Sequence, residues 1–155
     1  MIIHTPSRYF LAAGAAEGFS ELNAFDAALH AAGVGDINLV KLSSILPPGC
    51  RGVEPFALPP GAIVPTAYAR IACEEPGQVI AAGVAIAFPE DSSRAGLIME
   101  HSAWASRQEV EEVVRRMAYE GMKLRELAVR EIKSLAVEHR VQHVGAAFAG
   151  VVLWE

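Results

Sequence analysis

The chain has 155 residues, 52% of them hydrophobic and only 20% charged, with a formal net charge of -5. That length fits one domain, 1-155, able to bury a core without staples. The acidic balance excludes the clustered basic face that a nucleic-acid partner requires, and two cysteines, Cys50 and Cys73, make neither a disulfide scaffold nor a metal knuckle.

The opening Met1-Ile2-Ile3-His4-Thr5-Pro6 lacks a basic segment ahead of an apolar one, so no signal peptide is expected. Tyr9 to Ala13 predicts a strand that breaks at Gly14. Leu22 to Ala32 predicts a helix, with Leu22, Phe25 and Leu29 at helical spacing and Gly33 suited to the position past its end. Ile37 to Leu42 predicts a strand. From Ile45 to Gly61, Pro47-Pro48, Pro55 and Pro59-Pro60 predict a stiff extended loop without regular structure.

Ala62 to Cys73 and Gln78 to Phe88 read as strands joined by a hairpin turn at Glu74-Glu75-Pro76-Gly77, and Ala95 to His101 as another. Ser106-Arg107-Gln108-Glu109 is a capping box, in which serine and glutamate satisfy each other's amide groups. It opens the clearest helix, with Val110, Val113, Val114, Met117, Leu124, Leu127 and Ala128 on or near one face. Ile132 to Arg140 and Val144 to Trp154 close the chain as strands. The longest apolar runs, Val79 to Phe88 and Val144 to Trp154, are too short to span a bilayer, so a cytoplasmic protein with no membrane partner is expected. This order predicts an α/β fold with antiparallel or mixed sheets and outer helices, not a doubly wound one. The apolar excess predicts fully buried strands or an interface between copies.

Several motifs fail on inspection. Gly33-Val34-Gly35 hints at a dinucleotide loop, but position 38 is Asn and no acidic ribose partner follows. His139 and His143 have helical zinc spacing but fall at a strand end and turn, where that spacing does not converge, so no metal is expected. No Gly-x-Ser-x-Gly elbow or P-loop is present. Cys50 reads as a small, partly buried thiol.

Ser43-Ser44 carries more. The pair closes the apolar-rich Asp36-Ile37-Asn38-Leu39-Val40-Lys41-Leu42 and runs into Ile45-Leu46-Pro47-Pro48. A serine there is a nucleophile, or its hydroxyl attacks the preceding peptide carbonyl and cuts the chain. Alone, the pair is an ordinary strand-to-loop transition. In context, Asn38-Leu39-Val40-Lys41-Leu42-Ser43-Ser44-Ile45-Leu46-Pro47-Pro48 resembles the self-cleavage site of the pyruvoyl-dependent arginine decarboxylases. Leu22 to Leu29, Gly61 to Tyr68, Gly96 to Glu100, Ser134 to His139 and the Ala-rich end through Trp154 resemble the same family in the same order.

The resemblance implies a four-layer αββα sandwich assembled as trimers with active sites between subunits. It implies that Ser44 Oγ attacks the Ser43 carbonyl, that the ester eliminates, and that loss of ammonia leaves a covalent pyruvoyl group at position 44. Residues 1-43 become the β chain and 44-155 the α chain. Ordinary amides do not rearrange, so strain and an oxyanion donor are required. The resemblance assigns that donor to Asn38, whose amide, placed in an apolar strand, is expected to be buried. It assigns Glu100 as the acid that protonates the carbanion left when CO2 departs from a Schiff base, and a carboxyl beside an apolar strand suits that role. Asp26 is the expected guanidinium partner. Leu22, Leu29, Gly35, Ile37 and Ile45 are implied around the rest of the substrate.

The implied activity is decarboxylation of L-arginine to agmatine, an entry to polyamine synthesis. Ornithine and lysine stay open as substrates, because a carboxylate at Asp26 accepts an ammonium too. An uncut homologue that binds a small cation or a partner subunit without catalysis is the remaining alternative.

Overall fold

The computed structural model describes residues 4–155, which form nine strands and two helices, with six consecutive strands between the helices. The first three residues, part of the segment read above as lacking a signal pattern, lie outside the described residues. The strands are β1 (Arg8–Glu17), β2 (Asn38–Lys41), β3 (Ile45–Leu46), β4 (Arg51–Gly52), β5 (Ile63–Cys73), β6 (Val79–Pro89), β7 (Gly96–Ala103), β8 (Val129–Arg140) and β9 (Gly145–Trp154). The helices are α1 (Glu21–Ala31) and α2 (Arg107–Leu124).

One sheet has the order β2-β5-β9-β1-β4 and is mixed: β2 runs parallel to β5 and β4 parallel to β1, while β9 is antiparallel to both neighbours. The other, β3-β7-β6-β8, is antiparallel throughout. Alternation along each strand sorts the apolar side chains into three layers. Ala69, Ala149, Val151, Ile80, Val84 and Ile98 fill the space between the sheets. Phe10, Ala28, Val64, Phe148 and Val152 pack under α1, and Leu97, Val114, Ala118 and Met122 under α2. The result is the expected αββα sandwich. β6 and β9, central in their sheets and covered on both faces, are almost wholly apolar and account for much of the hydrophobic excess.

Both helices approach their sheets through glycine. A Cβ on Gly14 would lie 2.4 Å from the Ala28 carbonyl oxygen of α1, and one on Gly121 2.2 Å from Leu97 Cδ2 of β7. The α2 capping box forms as read: the Glu109 amide donates to Ser106 Oγ at 3.2 Å, and the Ser106 amide to Glu109 Oε2 at 2.8 Å.

Three expectations are corrected. The proline-rich segment does contain regular structure, β3 and β4, because two residues between prolines suffice to pair with the end of a long strand. The first strand continues through Gly14 to Glu17, since β9 offers an uninterrupted ladder on that side. Helix α2 ends at Leu124, and Glu126, at φ 57, turns the chain away, so Leu127 and Ala128 lie beyond it. Val113 and Leu124 are exposed, although Leu127 folds back onto the α2 core.

The sheets are tied together by Glu17 of β1 and His139 of β8, with Oε2 and Nε2 2.5 Å apart. Glu17 Oε1 also accepts from the backbone amides of His143, at 2.7 Å, and Gln142, at 3.2 Å. Gly145 makes room, since a Cβ there would meet Glu17 Oε2 at 2.7 Å. Burial alone would raise the Glu17 pKa. The bonds from His139, His143 and Gln142 and the histidine charge outweigh it and hold the value at about 2. A carboxyl depressed from 4.5 to about 2 contributes stability that is full above 4.5 and lost as pH falls toward 2. Glu17→Gln is therefore expected to lower the melting temperature at pH 7, with the gap to wild type narrowing progressively between pH 4.5 and 2 in calorimetric scans.

Candidate active site

The chain leaves the first sheet at the end of β2 and enters the second at β3, and Ser43-Ser44 lies at that crossing. Each side of it is anchored. The Leu42 amide donates to the Thr66 carbonyl at 3.0 Å, extending the β2–β5 ladder by one step. The Ile98 amide donates to the Ser44 carbonyl at 2.6 Å, extending the β3–β7 pairing backward by one. The Ser43–Ser44 peptide spans the gap between these anchors. Ser43 is exposed and Ser44 half-buried.

Glu100 sits two residues beyond Ile98 on β7 and pairs across the sheet with Val84, a residue of the layer between the sheets. Its side chain is 27% exposed, and its Oε1 lies 2.7 Å from Nζ of Lys41, the last residue of β2. Its Oε2 is buried and has no hydrogen-bond partner among the described residues. Lys41 Nζ also stands 5.0 Å from the centre of the Tyr68 ring. A buried carboxylate oxygen without a donor is costly unless a reacting group uses it.

The other expected residues lie elsewhere. Leu22, Asp26 and Leu29 are on α1, and Gly35 and Ile37 on the turn that leads from it into β2. Asp26 is exposed and has no ion-pair partner among the described residues. Leu22 lines an open cavity of about 380 Å³ with Phe25 and Arg70, and Gly35 and Ile37 line one of about 140 Å³; neither includes Ser43, Ser44 or Glu100. Asn38 is exposed at the start of β2, not buried as expected, and its Nδ2 donates to the Gly61 carbonyl at 3.1 Å. The edge position of β2 is the reason: an edge strand leaves its outer side open to solvent. Five steps of extended chain, roughly 16 Å at about 3.3 Å each, separate Asn38 from Ser43. Ile45 falls on β3 beside the crossing, 44% exposed.

One chain thus carries two groups: Ser43, Ser44, Ile45 and Glu100 at the crossing, and Leu22, Asp26, Leu29, Gly35, Ile37 and Asn38 spread along α1 and the turn from it to the start of β2. A family model described as pyruvoyl-dependent arginine decarboxylase matches residues 8–154. The chain belongs to that family. It is 46% identical over 149 residues to the pyruvoyl-dependent arginine decarboxylase of Methanocaldococcus jannaschii, covering 96% of this chain and 90% of that one. It is 40% identical over 153 residues to the protein of the same name from Pyrococcus abyssi, covering 97% and 96%. The matched span includes both groups, the crossing and the layers that support them.

Membership in this family implies a covalent pyruvoyl group, and the residues present fit it. Ser44 would supply the atoms, its carbonyl is held by β7, and an unpartnered carboxyl oxygen sits on the same strand. Sequence reasoning missed Lys41 and Tyr68. No spacing signals a lysine on one sheet meeting a glutamate on the other; only its place at the strand end beside Ser43 could have drawn notice. Because Lys41 is half-exposed, its ion pair contributes about 0–1 kcal/mol to stability. Glu100→Gln is accordingly expected to change unfolding free energy by no more than about 1 kcal/mol, measured by thermal or denaturant unfolding.

Proposed function

We propose that the chain cuts itself between Ser43 and Ser44 and then decarboxylates L-arginine to agmatine. The observation that carries this is the crossing: a serine pair stretched between two anchored strand ends, beside a carboxyl with a buried unpartnered oxygen, in a chain of the pyruvoyl-dependent arginine decarboxylase family. Residues 1-43 and 44-155 are the two proposed fragments of one domain.

For the cut, Ser44 Oγ attacks the Ser43 carbonyl. The bonds from Leu42 to Thr66 and from Ile98 to Ser44 hold the flanking residues while the peptide rearranges. The fragments stay together afterwards, because each end keeps its own ladder. A pyruvoyl group supplies a ketone that condenses with an amine and withdraws electrons as a neighbouring carboxyl leaves. In this reading Glu100 Oε2 takes a proton from the incoming substrate ammonium and returns it to the carbon that CO2 departs from. Asp26 takes the guanidinium through parallel hydrogen bonds, and Leu22, Leu29, Gly35, Ile37 and Ile45 enclose the stem.

These roles require residues from two copies. Asp26 lies in the middle of α1 and Asn38 at the start of β2, outside the serine crossing of their own chain. Large apolar side chains are exposed beside both groups: Phe19 at 96% and Leu22 at 71% by the start of α1, Ile63 at 69% opposite Asn38, and Ile45 at 44% next to the serine pair. Such side chains call for cover by another molecule. The proposed assembly is a closed ring of three copies, in which the α1 end of one meets the crossing of the next. Asn38 has a second N–H beyond the one bound to Gly61, and this is the proposed oxyanion donor for the neighbour.

Intact mass tests the cut. Wild type is expected as two fragments divided at 43/44, the larger without an amine terminus and reactive to hydrazine-type labels, whereas Ser44→Ala stays full-length and inactive. A single full-length species in both overturns the reading and favours a non-catalytic binding protein. CO2 release is expected from arginine well above ornithine and lysine. Co-expressing Asp26→Ala with Ser44→Ala copies tests the shared site: partial activity is expected where each alone has little, and no recovery would place the site within one chain.

A further inference from the structure

Lys41 and Glu100 stand on opposite sides of the proposed cut. Lys41 is the last residue of β2 and belongs to the 1-43 fragment, while Glu100 lies on β7 in the 44-155 fragment. They meet across the two sheets, Nζ to Oε1 at 2.7 Å. We propose that Lys41 is a positioning residue for Glu100: it pins one carboxyl oxygen so that the other, Oε2, stays aimed at the reacting centre. The inference rests on the decarboxylase reading above and adds to it a role for the smaller fragment in the chemistry of the larger.

Three observations carry it. The Tyr68 ring, 5.0 Å away, attracts the ammonium, and the parallel ladder that pairs Lys41 with Thr66 and continues through the Leu42 amide fixes the backbone from which it extends. A flexible lysine tethered this way presents its charge at one place. Second, the pair satisfies only Oε1; Oε2 is buried and unpartnered, so the carboxyl has one occupied side and one vacant side. Third, with Lys41 52% exposed, the pair adds little to folding, so stability does not account for it. A carboxyl left free to rotate would spend part of its time off the productive geometry, and displacements near 1 Å cost on the order of 100-fold in rate.

The experiment uses the full chain. Lys41→Met keeps the length of the side chain and removes the charge; Lys41→Arg keeps the charge. Lys41→Met is expected to be cut at 43/44 and labelled by hydrazine reagents like wild type, with kcat for arginine reduced on the order of 10- to 100-fold and KM within about twofold. Lys41→Arg is expected to recover most of that loss. In the Glu100→Gln background, Lys41→Met should cost less than about twofold more, because the residue it positions is already disabled. A readout independent of turnover is acetylation of Lys41 by acetic anhydride, followed by peptide mass: it should be slower in wild type than in Glu100→Gln.

A wild-type kcat in Lys41→Met, or a full additional loss in the Glu100→Gln background, overturns the proposal. So does an uncut Lys41→Met chain, which would assign the lysine to processing. Equal acetylation rates would show that the pair does not hold the ammonium. Failure of the wild type to release CO2 from arginine would overturn the decarboxylase reading instead, while the acetylation contrast still tests the pair.

Discussion

Two peptide bonds, from Leu42 to Ser44, carry the chain from the edge of one sheet to the edge of the other, and both ends of that span are tied down. Leu42 continues the ladder of β2 on β5, and Ser44 continues that of β3 on β7. Each ladder is part of a sheet whose faces are covered, so neither can slide without exposing apolar surface. The Ser43–Ser44 peptide cannot relax by moving either strand. The same arrangement makes a break harmless to the fold, because each new end remains hydrogen-bonded to its own sheet.

The layers on both sides explain why that gap is rigid. The middle layer is built largely of Ala, Val and Ile from both sheets, short side chains that let the sheets lie close. Glycines at 14 and 121 let the helices press on the outer faces. At the level of the Glu17–His139 pair, a second link joins β1 to β8, while Lys41–Glu100 joins β2 to β7. The two ion pairs differ in character. Glu17 has every oxygen occupied and a strongly lowered pKa, as a structural tie does, whereas Glu100 keeps one oxygen without a partner.

The division of site residues into two groups gives the exposed apolar side chains a purpose. Phe19, Leu22 and Ile63 would be poor choices on the surface of an isolated molecule. Phe19 and Leu22 lie by the start of α1, and Ile63 pairs with Asn38 at the start of β2. In the proposed ring, a site shared between copies would make assembly a condition of turnover.

Local chemistry decided much of this protein and was visible without coordinates. The capping box at Ser106, the helical spacing from Leu22 to Leu29, the apolar runs of β6 and β9 and the serine pair at a strand end depend on neighbours in sequence. The boundaries that failed were those set by distant partners: β3 and β4 exist because β7 and β1 offer free edges, and Leu124 is exposed because Glu126 turns the chain early. Lys41–Glu100, Glu17–His139 and the exposed position of Asn38 had no local signature at all. Hydrogen bonds and ion pairs across a sandwich join residues that only packing brings together, so sequence named the candidate serine and carboxyls, and the tertiary structure alone decided which of them lie together.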